Sequence, residues 1–139
     1  MGTIVLTEAN RKRISAAIKA AEVGHRGEIV VHIEPRLWGK PLERAAKLFT
    51  KLGVNESKDD TGVLLYVATA TRAAAVWAGK GVTHGADSAT WKPVFTALGA
   101  TRDVTSAICD AIAALGKVLV THAPGADVHG NELGDGVSA

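Results

Sequence analysis

Ala20-Ala21-Glu22-Val23-Gly24-His25-Arg26-Gly27-Glu28-Ile29-Val30-Val31-His32-Ile33-Glu34 is the stretch whose reading decides the fold. Its apolar period changes from helical to extended, and Gly24 and Gly27 mark the join. Upstream, Ile14, Ala17, Ile18 and Ala21 fall on one face of a helix. Downstream, Ile29, Val31 and Ile33 take one side of a strand. A helix, a glycine turn and a strand open an α/β fold.

Working outward, Thr7 is a helix N-cap, and Glu8 follows in the first turn, where a carboxylate suits the positive end of the helix dipole. Gly24 closes that helix. The strand over 27–34 stops at Pro35, which has no N–H for a sheet ladder. A second helix is expected from about Lys40, with Pro41 at its first position. Its apolar stripe reads Leu42, Ala45, Ala46, Phe49 and Leu52. After a polar loop, Gly62-Val63-Leu64-Leu65-Tyr66-Val67-Ala68 is apolar at both parities, which predicts a central strand covered on both faces. Residues 69–71 turn the chain into Ala73-Ala74-Ala75-Val76-Trp77-Ala78, its expected antiparallel neighbour.

Trp91, Val94, Phe95 and Leu98 then show helical spacing, with Thr90 as cap. Val104, Ile108, Ala111, Ile112, Leu115 and Leu119 line a last helix over 102–120, which Pro124 ends. The predicted order is α-β-α-β-β-α-α. That is an α/β/α sandwich around a mixed sheet of three or four strands, in one α/β domain over residues 1–124. Residues 125–139 are glycine-rich and expected to form a flexible tail.

Composition narrows the function classes. In 139 residues, 47% are hydrophobic, 22% charged and only 4% aromatic, so alanine and branched aliphatics must fill the core. Sixteen Lys and Arg against 14 Asp and Glu leave a formal charge of +2. No block of like charge focuses that excess, so no nucleic-acid partner is expected. Arg11-Lys12-Arg13 lacks interleaved aromatics and reads as a solvated helix face. The single cysteine, Cys109, excludes an internal disulfide and reads as a buried, inert thiol. With no signal-peptide pattern and no 18-residue apolar run, no membrane span is expected, and the sequence reads as cytoplasmic.

The opening junction, with its Ala21-Glu22 and Gly27-Glu28-Ile29, resembles the start of the TPM domain. So do Ala45-Ala46-Lys47-Leu48-Phe49 followed by Leu52-Gly53-Val54, and Thr61-Gly62-Val63-Leu64-Leu65-Tyr66-Val67-Ala68. Pro124 and Asn131-Glu132-Leu133 are similar to the ending of short, stand-alone bacterial members. No single piece is specific; their order over Leu6 to Leu133 is. The resemblance implies the sandwich fold. It also implies links to divalent-metal binding and, in plant thylakoid-lumen relatives, to acid phosphatase activity. The chain departs from the family pattern at Thr61, where Asn is usual, and at Thr71-Arg72, where Asp-Arg is usual. It departs again around Gly24-His25 and at Ala123-Pro124. A metal site relying on the missing Asp is compromised here.

The residues themselves offer three candidate sites. Asp59 and Asp60, with Glu56 nearby, stand before the central strand, where loop carboxylates suit a hard cation such as calcium or magnesium. The alternative is a solvated loop that caps the strand. Gly79-Lys80-Gly81-Val82-Thr83-His84-Gly85 suits an anion through backbone N–H groups, the Lys80 charge and the Thr83 hydroxyl, with Arg72 as a second cation for a phosphate. It is not a P-loop, because Gly81 follows the lysine where Ser or Thr is needed. Trp38, flanked by Arg36 and Lys40, is the expected contact for an unknown protein partner; otherwise it lids the core.

His25, His32, His84, His122 and His129 lack zinc-helix spacing and read as scattered surface histidines. The Asp127, His129, Glu132, Asp135 cluster lies in the glycine-rich tail. Ser15, Ser57, Ser88, Ser106 and Cys109 sit in no nucleophile elbow. These features favour a small ligand-binding or interaction module without efficient catalysis. The alternative is a metal-assisted acid phosphatase acting on phosphate esters, with Asp59 and Asp60 on the cation and Lys80 or Arg72 on the phosphate.

Overall fold

The computed structural model describes residues 6–25, 27–56, 60–82, 89–123 and 136–139. Helix α1 spans Glu8–Ala21, and the Thr7 hydroxyl accepts the Asn10 N–H as its cap. Strand β1 (Glu28–Glu34) follows, then helix α2 (Pro41–Lys51) with a short 3₁₀ turn at Val54–Glu56. Strands β2 (Gly62–Ala68) and β3 (Ala73–Ala78) form a hairpin. Helices α3 (Lys92–Leu98) and α4 (Val104–His122) come next, and a two-residue strand β4 (Val137–Ser138) ends the chain.

The sheet is mixed, in the order β3-β2-β1-β4. β1 runs parallel to β2 and β4, and β3 runs antiparallel to β2. β2 is thus interior to the sheet, and all seven of its residues are buried. Val63, Leu65 and Val67 join a core with Ile14 and Ile18 of α1, Val94 of α3 and the buried face of α4. Leu64, Tyr66 and Ala68 join a second core with Ala45, Leu48 and Phe49 of α2 and with Val54. Apolar character at both parities therefore means a helical layer on each side, as the sequence predicts.

Two sequence expectations need correcting, and the apolarity of one helix has a local explanation. The chain end is not a free tail: Val137 pairs with Val31 and Ser138 with His32, while Arg11 donates to the Val137 carbonyl at 2.8 Å. The rest of the expected tail, 124–135, lies outside the described residues. The α2 stripe is also rotated from its expected position. Leu48 is buried with Ala45 and Phe49, whereas Leu42 and Leu52 are exposed, so the face turned to the sheet is centred on Ala45, Leu48 and Phe49. Finally, α4 is long and apolar enough to cross a membrane by length and composition. Its apolarity has a local use, since eight of its residues are buried against the sheet and α1. Gly116 permits that approach; a Cβ there would come within 2.7 Å of the Ala21 carbonyl oxygen.

Candidate functional site

Three connections meet at the carboxyl end of β1 and β2. The β2–β3 turn is tied to the β1–α2 loop by main-chain bonds: Thr69 N–H donates to the Glu34 carbonyl at 3.0 Å and Ala70 N–H to the Pro35 carbonyl at 2.8 Å. The Thr71 hydroxyl accepts the Leu37 N–H at 2.9 Å. Arg72 closes the turn with φ +58, in the left-handed region that a branched or long side chain rarely adopts. Backbone strain of this kind concentrates at functional positions.

Beside this turn lies a cavity of ≈ 1060 Å³. Val67, Thr69 and Arg72 form one wall, Phe95 and Leu98 of α3 a second, and Arg102 with Val104 and Ile108 at the start of α4 a third. Ligands of open α/β sheets favour this location, outside the carboxyl ends of the strands. Thr69 is 7% exposed, and its hydroxyl has no hydrogen-bond partner among the described residues. A buried hydroxyl without a partner costs roughly 1–3 kcal/mol. Arg72 and Arg102 are exposed at the rim and make no ion pair among the described residues. No carboxylate lines this cavity among the described residues. Asp103, beside Arg102, caps α4: the Ser106 N–H and hydroxyl hold its carboxyl below the usual range, and Arg13 approaches at 3.9 Å.

The amino end of β2 carries the residues expected to hold a cation and an anion. Asp60 has φ +52, its Oδ2 accepts the Lys80 N–H at 2.9 Å, and its carbonyl accepts the Gly81 N–H at 2.8 Å. Gly79 lies against it so closely that a Cβ would come within 2.3 Å of the Asp60 carbonyl oxygen. The Asp60 carboxylate therefore clamps the glycine turn that was expected to cradle an anion. Glu56 sits in the 3₁₀ turn and is exposed. Asp59 and Thr83 lie outside the described residues, as do His84, His129 and the other ligands of the expected tail cluster. Among the described residues, no three His, Cys, Asp or Glu side chains gather as a metal site. Arg72 belongs to the far end of the strand, separated from Asp60 and Lys80 by the length of β2, roughly 20 Å. One phosphate cannot touch Arg72 and Lys80 together.

On the α2 face of the sheet, the structure assembles a polar network that sequence reading missed. Arg44 of α2 forks onto both Glu34 oxygens at 2.9 and 3.2 Å, and the Tyr66 hydroxyl donates to the same carboxylate. His32 Nε2 lies 3.0 Å from Glu34 Oε1 and Nδ1 3.0 Å from the Ser138 hydroxyl, with the imidazole stacked on Tyr66. Burial pushes the Glu34 carboxyl up, but hydrogen bonds from Arg44, Tyr66 and His32 and the Arg44 charge outweigh it and hold the group down at about 2. Ionised Glu34 can only accept, so Nε2 donates to it, while Nδ1 shares a hydrogen bond with the Ser138 hydroxyl. Burial and the Glu34 carboxylate raise the Tyr66 phenol. The alternation His32, Glu34 on one parity of an apolar strand was the available signal. The network locks β4 onto β1 on the sheet face opposite the cavity.

His25 is likewise not on the surface. It is 1% exposed, its Nδ1 accepts the Gly27 N–H at 2.9 Å, and Nε2 faces the Ala21 carbonyl. The ring thus closes the end of α1 and opens β1. Cys109 is partly buried, and burial raises its thiol, in keeping with an inert role. Trp38 is 86% exposed, held outward between buried Leu37 and Gly39 with φ +98.

Comparison with known proteins agrees with this architecture. The NMR structure of BA42 protein from the psychrophilic bacterium Bizionia argentinensis superposes with a TM-score of 0.82 at 27% identity, over 97% of this chain and 95% of that one. No curated protein matches the chain. A family model described as the TPM domain matches residues 2–118. With the helix–turn–strand opening, the doubly covered β2 and the mixed sheet in place, the chain belongs to the TPM domain family.

Proposed function

We propose that the protein is a ligand-binding module whose ligand enters the cavity at the carboxyl end of the sheet. The observation that carries this reading is the cavity rimmed by Arg72 and Arg102, with no carboxylate among the described residues that line it and with the Thr69 hydroxyl buried behind its wall. Three connections converge there, and two of them are tied to each other by main-chain bonds, so the walls are formed before a ligand arrives. Efficient catalysis is not part of the proposal. The ionised carboxylate and imidazole that could act as base and orienter belong to the network on the opposite face.

The test is a small-molecule screen by thermal shift, comparing the natural chain with Ala100→Trp, which fills the cavity rim from an exposed position. A ligand of this cavity raises Tm with occupancy and loses the effect in the variant. Hits that raise both proteins equally, or no hits from a broad panel, overturn the reading. Turnover of an aryl phosphate with divalent metal, beside Asp60→Ala, tests the phosphatase alternative. We expect it to stay far below the ~1–10³ s⁻¹ of committed enzymes.

A second reading has its own observation. A tryptophan 86% exposed, flanked by Arg36 and Lys40 with Leu42 also exposed, supports a contact with a partner protein. Trp38→Ala should leave Tm unchanged and abolish any complex isolated with the natural chain; retained binding would refute that contact.

A further inference from the structure

We infer that the ligand of this cavity is an amphipathic anion, a single carboxylate head on an unbranched apolar body. The inference rests on the ligand-binding reading above and goes on to name the ligand's chemistry. The head is set by what the rim offers. Arg72 and Arg102 present guanidinium forks that only donate, and no carboxylate among the described residues lines the cavity to oppose an anion. The Thr69 hydroxyl, without a partner among the described residues, lies closed off beneath them and reaches an anion only where binding opens that contact. Two guanidinium groups on one side of a largely apolar space fit an oxyanion held at its edge.

The body is set by the remaining walls. Val67, Phe95, Leu98, Val104 and Ile108 are apolar and contiguous with the core beneath α3 and α4. A small hydrated anion would leave this surface wet, whereas an alkyl chain covers it. At ≈ 1060 Å³ the space exceeds what a bare phosphate or acetate fills and matches the range of drug-sized ligands. The two rim cations then fix which end of the chain points outward.

The experiment is calorimetric titration of the whole chain with hexanoate, octanoate and decanoate below their aggregation limits, beside 1-octanol, octyl phosphate and inorganic phosphate. Affinity should rise about fourfold per added methylene. Octanol should bind at least tenfold more weakly than octanoate, and Arg72→Ala and Arg102→Ala should each weaken octanoate at least fivefold without changing Tm. Ala100→Trp should abolish all binding. Octyl phosphate binding better than octanoate, with the same arginine dependence, would replace the carboxylate head and overturn that part of the inference. Equal binding of octanol, or of inorganic phosphate with no chain-length dependence, would overturn the amphipathic anion while leaving a cavity blocked by Ala100→Trp. If every probe ignores that variant, the cavity reading itself fails.

Discussion

The two ends of β2 are built from similar materials and used differently. At the amino end, Asp60 and the glycine turn 79–81 satisfy one another: the carboxylate takes the Lys80 N–H and the carbonyl takes the Gly81 N–H. At the carboxyl end, Arg72, the counterpart of Asp60 in strain at φ +58 against +52, rims a cavity behind whose wall the Thr69 hydroxyl has no partner among the described residues. Strained polar residues flank the strand on both sides, and only at the amino end does the strained residue's carboxylate hold a neighbouring turn. A charged motif in sequence therefore says little about a site until its hydrogen bonds are assigned.

The comparison presupposes a rigid strand between the two ends, and the largest expected effect comes from breaking it. Leu65 is fully buried between β1 and β3 and packs in the core with α1 and α4. Leu65→Ala should cost about 2–5 kcal/mol through the lost burial and the cavity left behind. Urea unfolding measures it; a cost under ~1 kcal/mol would mean that the core re-closes and that the two ends are not held apart by a stiff element.

Next in size is the network on the α2 face. Glu34→Gln removes the charge that Arg44, Tyr66 and His32 all address, and should cost about 1–3 kcal/mol at neutral pH. Its pH signature has a definite sign. The folded carboxyl sits at about 2 against an ordinary 4.5, so its stabilisation is present above about 4.5 and is lost as pH falls toward 2. The natural chain should lose more stability than Glu34→Gln over that window, and parallel acid limbs would show that Glu34 is not the group responsible.

At the amino end, Asp60→Ala should cost about 1–2 kcal/mol, from the lost bond to Lys80 and from alanine at positive φ. Asp60→Asn tolerates both demands and should cost less. If the Asp60 carboxylate serves the glycine turn, calcium or magnesium leaves Tm unchanged relative to chelator. A cation-dependent rise lost in Asp60→Asn would break the comparison and favour the cation site that the acidic loop suggested.

Local patterns made the fold legible, and the site lay beyond them. The opening junction worked because Ile14, Ile18, Ile29, Val31 and Ile33 carry both periods clearly, and β2 worked because each of its faces meets a different core. Strand β4 escaped notice because two residues after a glycine-rich stretch show no period. The sequence groups Arg72 with Lys80 as cations for one anion, because sequence proximity across a hairpin hides a full strand length between them. Thr69 and Arg102 are 33 positions apart and meet only because α3 returns the chain to the carboxyl end of the sheet. Neither residue is unusual on its own, and the orphaned hydroxyl that distinguishes the cavity is a property of the folded state.

That orphan yields the smallest effect and the most discriminating one. Thr69→Val keeps the branched shape and the main-chain bond from residue 69 to the Glu34 carbonyl, while removing the hydroxyl that has no partner. In most settings loss of a hydroxyl destabilises; here the buried group returns nothing in the empty protein, so the variant should be more stable by up to about 1 kcal/mol. The same change should weaken the cavity's ligand, because the bound anion then meets a methyl group where a donor stood. A stability gain paired with an affinity loss is what distinguishes a binding group from a structural one. Thr71→Val is the internal control: the Thr71 hydroxyl accepts the Leu37 N–H, so its removal should destabilise the turn by about 1 kcal/mol and leave affinity nearly unchanged. Should Thr69→Val instead destabilise to the same degree as Thr71→Val, the hydroxyl is already satisfied in the empty protein, and the two ends of β2 are alike after all.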